Sequence, residues 1–86
     1  YKNIKFDLTV VENKGKNEKP VSDVIICLDE EIIGTTDKKG KLNKSINVKI
    51  GHYILIAKRN GYQISKTEIQ IQDDFRDEIV LEQEKP

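Results

Sequence analysis

The chain has no tryptophan, no methionine, two prolines and a single cysteine, Cys27, among its 86 residues. One cysteine excludes an internal disulfide, so this is not a cystine-stapled scaffold and any fold must rest on an apolar core. There is no excess of charge of either sign. Fifteen Lys and Arg balance fifteen Asp and Glu, for a formal net charge of zero. A balanced surface gives no reason to expect nucleic acid as a partner. No apolar run approaches the roughly 20 residues of a membrane-spanning helix, and no window keeps a helical period long enough for a stable helix. No signal-peptide pattern is present, the chain opens at Tyr1 rather than Met, and it closes on the polar Glu82-Gln83-Glu84-Lys85-Pro86. The expectation is one domain over 1–82 with a polar tail or linker at 83–86, cut from a longer protein.

What the chain does have is alternation and punctuation. Ile4, Phe6, Leu8 and Val10 alternate with Lys5, Asp7 and Thr9, the mark of a strand buried on one face. Glu12 to Pro20 is polar and without period, and reads as a loop. Val21 to Asp29 and the short Ile32 to Thr36 form the next two strands, with a turn at Asp29-Glu30-Glu31. Asp37 to Gly40 makes a tight turn, since Asp bonds its own backbone two residues on and Gly accepts a positive φ. Leu42, Ile46, Val48 and Ile50 share a face, and His52 to Lys58 follows after Gly51. Asn60-Gly61 turns the chain again. In the next strand Tyr62 and Ile64 have even parity while Ile69 and Ile71 have odd parity, which calls for a bulge between Ser65 and Glu68. The last strand is Phe75 to Leu81. The fold expected is all-β, a seven-stranded Greek-key β-sandwich. Its core should hold Phe6, Leu8, Val24, Ile26, Leu42, Tyr53, Leu55, Ile69 and Ile79.

The turn-and-core signatures Lys19-Pro20-Val21-Ser22-Asp23-Val24-Ile25-Ile26, Gly34-Thr35-Thr36-Asp37 with Gly40, Gly51-His52-Tyr53 and Gly61-Tyr62 resemble the carboxypeptidase regulatory-like domain, a seven-stranded sandwich of transthyretin-like or prealbumin-like type, within the wider transthyretin-like/immunoglobulin-like class of folds. The likeness spans about Val10 to Leu81. It departs at Asp23, where the family often has Gly. It implies an accessory module without chemistry of its own, in a bacterial protein outside the cytoplasm, at the cell surface or in the periplasm. The chain also resembles, more weakly, the collagen-adhesin B-type repeats of Gram-positive surface proteins. Many of these carry an internal Lys–Asn isopeptide bond promoted by a buried acid. The matching position here is Ala57, and Phe75 to Leu81 contains no Asn, so the crosslink has neither its acid nor its amide acceptor.

No constellation of side chains supports catalysis. His52 is the only histidine and has no nucleophile or orienting acid assigned to it by sequence. One His and one Cys make no zinc pattern. Asp29-Glu30-Glu31, Asp73-Asp74 and Asp77-Glu78 fit no defined calcium loop and read as solvated turns. The run of Lys38, Lys39 and Lys41, with Lys44 and Lys49, has no aromatic residue within it and reads as a lysine-protected strand edge rather than a nucleic-acid groove. No cofactor, metal or catalytic residue is expected.

One feature stands out against this background. The strands around Ile26 and Leu55 are apolar on both faces. If Val24, Ile26, Leu28, Tyr53, Leu55 and Ala57 face the core, then Ile25, Cys27, Ile54 and Ile56 form a patch on the outer face of neighbouring strands. The sequence therefore points to a non-catalytic structural or protein-interaction module, contacting neighbouring domains of its parent or another protein through this patch. The alternative is a carbohydrate- or other ligand-binding module using the end loops, with Tyr1, Tyr62 and Phe75 as the available aromatics.

Overall fold

The computed structural model describes residues 1–14 and 17–84. It contains eight strands: β1 (Lys2–Lys14), β2 (Asn17–Pro20), β3 (Ile25–Leu28), β4 (Glu31–Thr35), β5 (Lys41–Val48), β6 (Gly51–Lys58), β7 (Ser65–Ile71) and β8 (Phe75–Leu81). They form a Greek-key sandwich of two four-stranded sheets. One sheet is built on β1, which pairs with β2 and β5 along one edge and with β8 along the other; the second runs β4-β3-β6-β7. All pairings are antiparallel except the parallel β1–β8 pair. The domain measures 42 × 21 × 19 Å, and its long dimension is that of the 13-residue β1 at about 3.3 Å per residue.

The alternation in β1 is realised as expected. Ile4, Phe6, Leu8 and Val10 are almost fully buried, and they share one core with Ile26, Leu28, Leu55, Ala57, Ile69 and Ile71 of the other sheet and with Val24, which just precedes β3. Burial of this row is what fixes the register, because a shift by one residue would turn Lys5, Asp7 and Thr9 inward. Every expected core residue is buried except Tyr53, which packs half-buried against the cluster. Its hydroxyl donates to the Lys49 carbonyl at 2.6 Å, so the ring is inside while its polar tip reaches a partner.

Three local expectations are corrected. Glu12 to Pro20 is not a plain loop: β1 continues to Lys14, and β2 pairs with it from Val11↔Pro20 to Lys14↔Asn17, which makes the eighth strand. Residues 15 and 16 of that expected loop lie outside the described residues. The strand is invisible to periodicity because β2 is exposed throughout, so pairing alone defines it. The bulge expected between Ser65 and Glu68 is not there, since β6 and β7 pair without interruption from Gly51↔Ile71 to Ala57↔Ser65. The parity change arises because Tyr62 to Ile64 precede β7 and cross to the other sheet, where Tyr62 bridges Gln83. A bulge does occur between β3 and β4, where Ile26 pairs with Gly34 and Cys27 with Ile32, leaving Ile33 as the extra residue. Ile50, expected to continue the Leu42–Val48 face through the strand, lies past the end of β5 and is exposed.

Residues 83 and 84, expected in the tail, are bonded to the sandwich. The Gln83 side chain donates to Glu12 at 2.9 Å, and the Glu84 amide donates to the Gly61 carbonyl at 3.0 Å. Lys85 and Pro86 lie outside the described residues.

Candidate interaction face

The outer face of the β4-β3-β6-β7 sheet is positioned by the pairing of its two central strands. Ile26 opposes Ala57 and Leu28 opposes Leu55, and all four are buried in the core. Side chains alternate across a strand, so Ile25, Cys27, Ile54 and Ile56 all lie on the opposite, outer face. Cys27 and Ile56 are direct cross-strand partners. The four residues named from sequence therefore belong to one face of two adjacent strands.

Their exposure differs. Ile54 is 38% exposed, Ile25 and Ile56 are half-buried, and Cys27 is only 4% exposed. Cys27 is not part of the core cluster. Its immediate cross-strand partners on the outer face are Ile56 and Ile32. Cys27 thus serves as the floor of the patch rather than a contacting residue. Ile32, at 63% exposed, is the residue that sequence reasoning missed. The bulge at Ile33 sets Ile32 outward and Ile33 against the core. The adjacent pair Ile32-Ile33 is the only signal of this in the sequence.

Charged side chains flank the apolar strip on β7. Ile54 stands opposite Glu68 and Ile56 opposite Lys66, and both charged residues are exposed. The Asp29-Glu30 turn closes one end. Asp29 has φ 55°, a left-handed conformation that Asp tolerates better than most residues. From there its backbone N–H donates to the Ile54 carbonyl and its carboxylate accepts from the Ile54 N–H, both at 2.8 Å. Asp29, Glu30, Ile54, Ile56, Lys66 and Glu68 together line an open depression of about 610 Å³.

The outer face of the β1 sheet is different. Across it Lys5 pairs with Ser45, Asp7 with both Asn43 and Arg76, and Thr9 with Glu78. Arg76 and Asp7 approach to 3.8 Å. Glu78 is pushed above its ordinary range, chiefly by the nearby Glu18 carboxylate. Apolar character there is confined to one end, at Val11 and Val80. One sheet thus presents a polar outer face and the other an apolar strip bordered by charged and polar side chains.

The remaining candidates acquire structural roles. His52 is exposed on β6 opposite Gln70. The Asp73 carboxylate accepts from the Asp74 N–H and pairs with Lys2, and these hold it below the usual carboxylate range. The Asp77 carboxylate accepts from the Glu78 N–H. Among the described residues no group of three or more His, Cys, Asp or Glu is placed to hold a metal ion. Lys44 donates to the Ile33 carbonyl at 2.8 Å. Phe75 stacks on Phe6 with centroids 5.2 Å apart, and Tyr62 is half-buried with Arg59 over its ring at 5.6 Å. Among the described aromatics only Tyr1 is exposed, at 86%, and Lys49 lies over its ring. No helix is long and apolar enough to cross a membrane among the described residues.

No protein-family model matches the chain, and no curated protein matches it in sequence. Among solved structures, the chain is similar to the crystal structure of a minor pilin from the Gram-positive pathogen Streptococcus agalactiae. The similarity has a TM-score of 0.73 and 21% sequence identity, over 98% of this chain and 46% of the pilin chain. The chain thus spans less than half the length of that protein. At this identity the likeness shows the fold: an all-β sandwich domain of a kind found in a pilin.

Proposed function

We propose that this chain is a non-catalytic structural and protein-contacting module of a larger bacterial protein outside the cytoplasm. The observation that carries the reading is the apolar outer face at Ile25, Ile32, Ile54 and Ile56, on a sandwich whose other outer face is polar. A half-solvated antiparallel sheet normally turns polar residues to water, and a contiguous apolar patch marks a contact surface. The surface location is supported by the carboxypeptidase regulatory-like and adhesin-like signatures and by the pilin fold.

Replacing Ile54 and Ile56 together by Thr tests the reading, because Thr keeps β-propensity and removes apolar area. The double variant should keep the circular dichroism and cooperative melting of the parent. It should lose the contact made through this face, read by solution scattering of the chain alone and within the longer protein. Unfolding of the double variant would show these residues to be core, and an unchanged contact would show that the face is not the one used.

A further inference from the structure

Resting on that reading, we infer that the occupant of the apolar face is a second copy of this chain, packed sheet against sheet about a two-fold axis. The argument is one of self-complementarity. On β6 and β7 the pairs Ile54↔Glu68 and Ile56↔Lys66 lie in successive outward rows. A two-fold axis lying between the two sheets, across the strands and midway between these rows, exchanges them. Ile54 of each copy then meets Ile56 of the other, and Glu68 of each copy meets Lys66 of the other. Within these two rows of β6 and β7, apolar groups fall on apolar groups and the cation on the anion, each contact made twice, as an isologous interface requires.

Three further observations accord with a second copy. Among the described residues neither Lys66 nor Glu68 is in an ion pair within its own copy, so both charges are free to pair between copies. The formal net charge is zero, so two copies approach without net repulsion. The polar outer face of the β1 sheet has no such apolar strip to compete for the contact.

The contact is small. Three strands about 4.8 Å apart and five residues at about 3.3 Å give a footprint of roughly 15 by 17 Å per copy, well under the ~800 Å² per partner of a standard stable interface. The dimer is therefore weak, of the class of small, transient contacts.

Sedimentation equilibrium of the 86-residue chain, from about 10 μM to about 1 mM, should show a reversible monomer–dimer transition. Glu68→Lys and Lys66→Glu should each weaken it by about tenfold, because each reversal sets like charges together at two symmetric places. The exchanged double variant, Lys66→Glu with Glu68→Lys, should restore dimerisation, since the exchange preserves the complementarity between copies. Circular dichroism and melting should be unchanged throughout, as both positions are exposed. A monomer over the whole concentration range overturns the inference, as do single reversals without effect. Single reversals that weaken a dimer which the exchange fails to restore overturn it too. Should the chain stay monomeric while the Thr double variant still abolishes a contact in the longer protein, the module reading stands and only the second copy is refuted.

Discussion

Thr36 shows how single residues turn a sequence motif into a fold. It is buried at 2% exposure, and its hydroxyl donates to the Val21 carbonyl at 2.8 Å while accepting from the Val24 N–H at 3.0 Å. Its backbone accepts from Asp23 and donates to Val24. The two signatures Pro20-Val21-Ser22-Asp23-Val24 and Gly34-Thr35-Thr36-Asp37 are therefore one hydrogen-bonded unit. Asp23, where the resembling family often has Gly, takes φ 58°, so both residue types answer the same need for a left-handed turn. Thr36→Val keeps shape and leaves the Val24 N–H and Val21 carbonyl unpartnered. It should cost about 1–3 kcal/mol of stability in chemical denaturation. Asp37 acts beside it: its carboxylate accepts from the Lys39 and Lys41 N–H groups at 2.8 and 3.0 Å. The Lys41 bond first, then the Lys39 bond, hold Asp37 below the usual carboxylate range. A carboxylate with a lower pKa folded than unfolded adds stability above its unfolded pKa, and that stability is lost as pH falls through the folded value. Melting temperatures measured between about pH 6 and pH 2 should therefore fall less steeply for Asp37→Asn than for the parent.

Among the elements, β1 is the organiser, and it changes partners along one edge. Thr9 pairs with Lys41 of β5, whereas Val11 pairs with Pro20 of β2. At the changeover Val10 donates to the Gly40 carbonyl at 2.7 Å and accepts from the Val21 N–H at 3.0 Å. Gly40 fits this corner because it has φ 73° and no side chain. A Cβ there would overlap the Val10 carbonyl oxygen and crowd Pro20 and Val21 at 3.1 Å. Gly40→Ala should destabilise the domain by about 2–4 kcal/mol, combining left-handed strain with the clash, as measured by the midpoint of denaturant unfolding. A value near zero would show that the β1–β2 hairpin can move away from β5 without loss.

At the scale of the whole molecule, the first and last strands lie side by side in parallel, from Phe6↔Phe75 to Glu12↔Leu81. They are held together through Phe6, Leu8, Val10, Ile79 and Leu81 in the core. Ala57 is fully buried in the same core, at the position matching the acid that promotes crosslinking in the adhesin repeats. The intact mass should therefore equal the sequence mass; a deficit of one ammonia would reveal an isopeptide bond and refute this reading. The strands with one wet face were legible in the sequence, because alternation in Ile4 to Val10 and turn residues at Asp37 to Gly40 and Asn60-Gly61 act locally. Parity likewise placed Ile25, Cys27, Ile54 and Ile56 on one side. Only the tertiary structure decided the rest. The exposed β2 has no burial to print a period, and the place of the bulge depends on which residue of Ile32-Ile33 the core accepts. Cys27 loses its exposure to outer-face neighbours that come from two other strands. The juxtaposition of Lys66 and Glu68 with Ile56 and Ile54 likewise exists only in the β6–β7 register, because charge placed opposite an apolar row is a property of paired strands rather than of either strand alone.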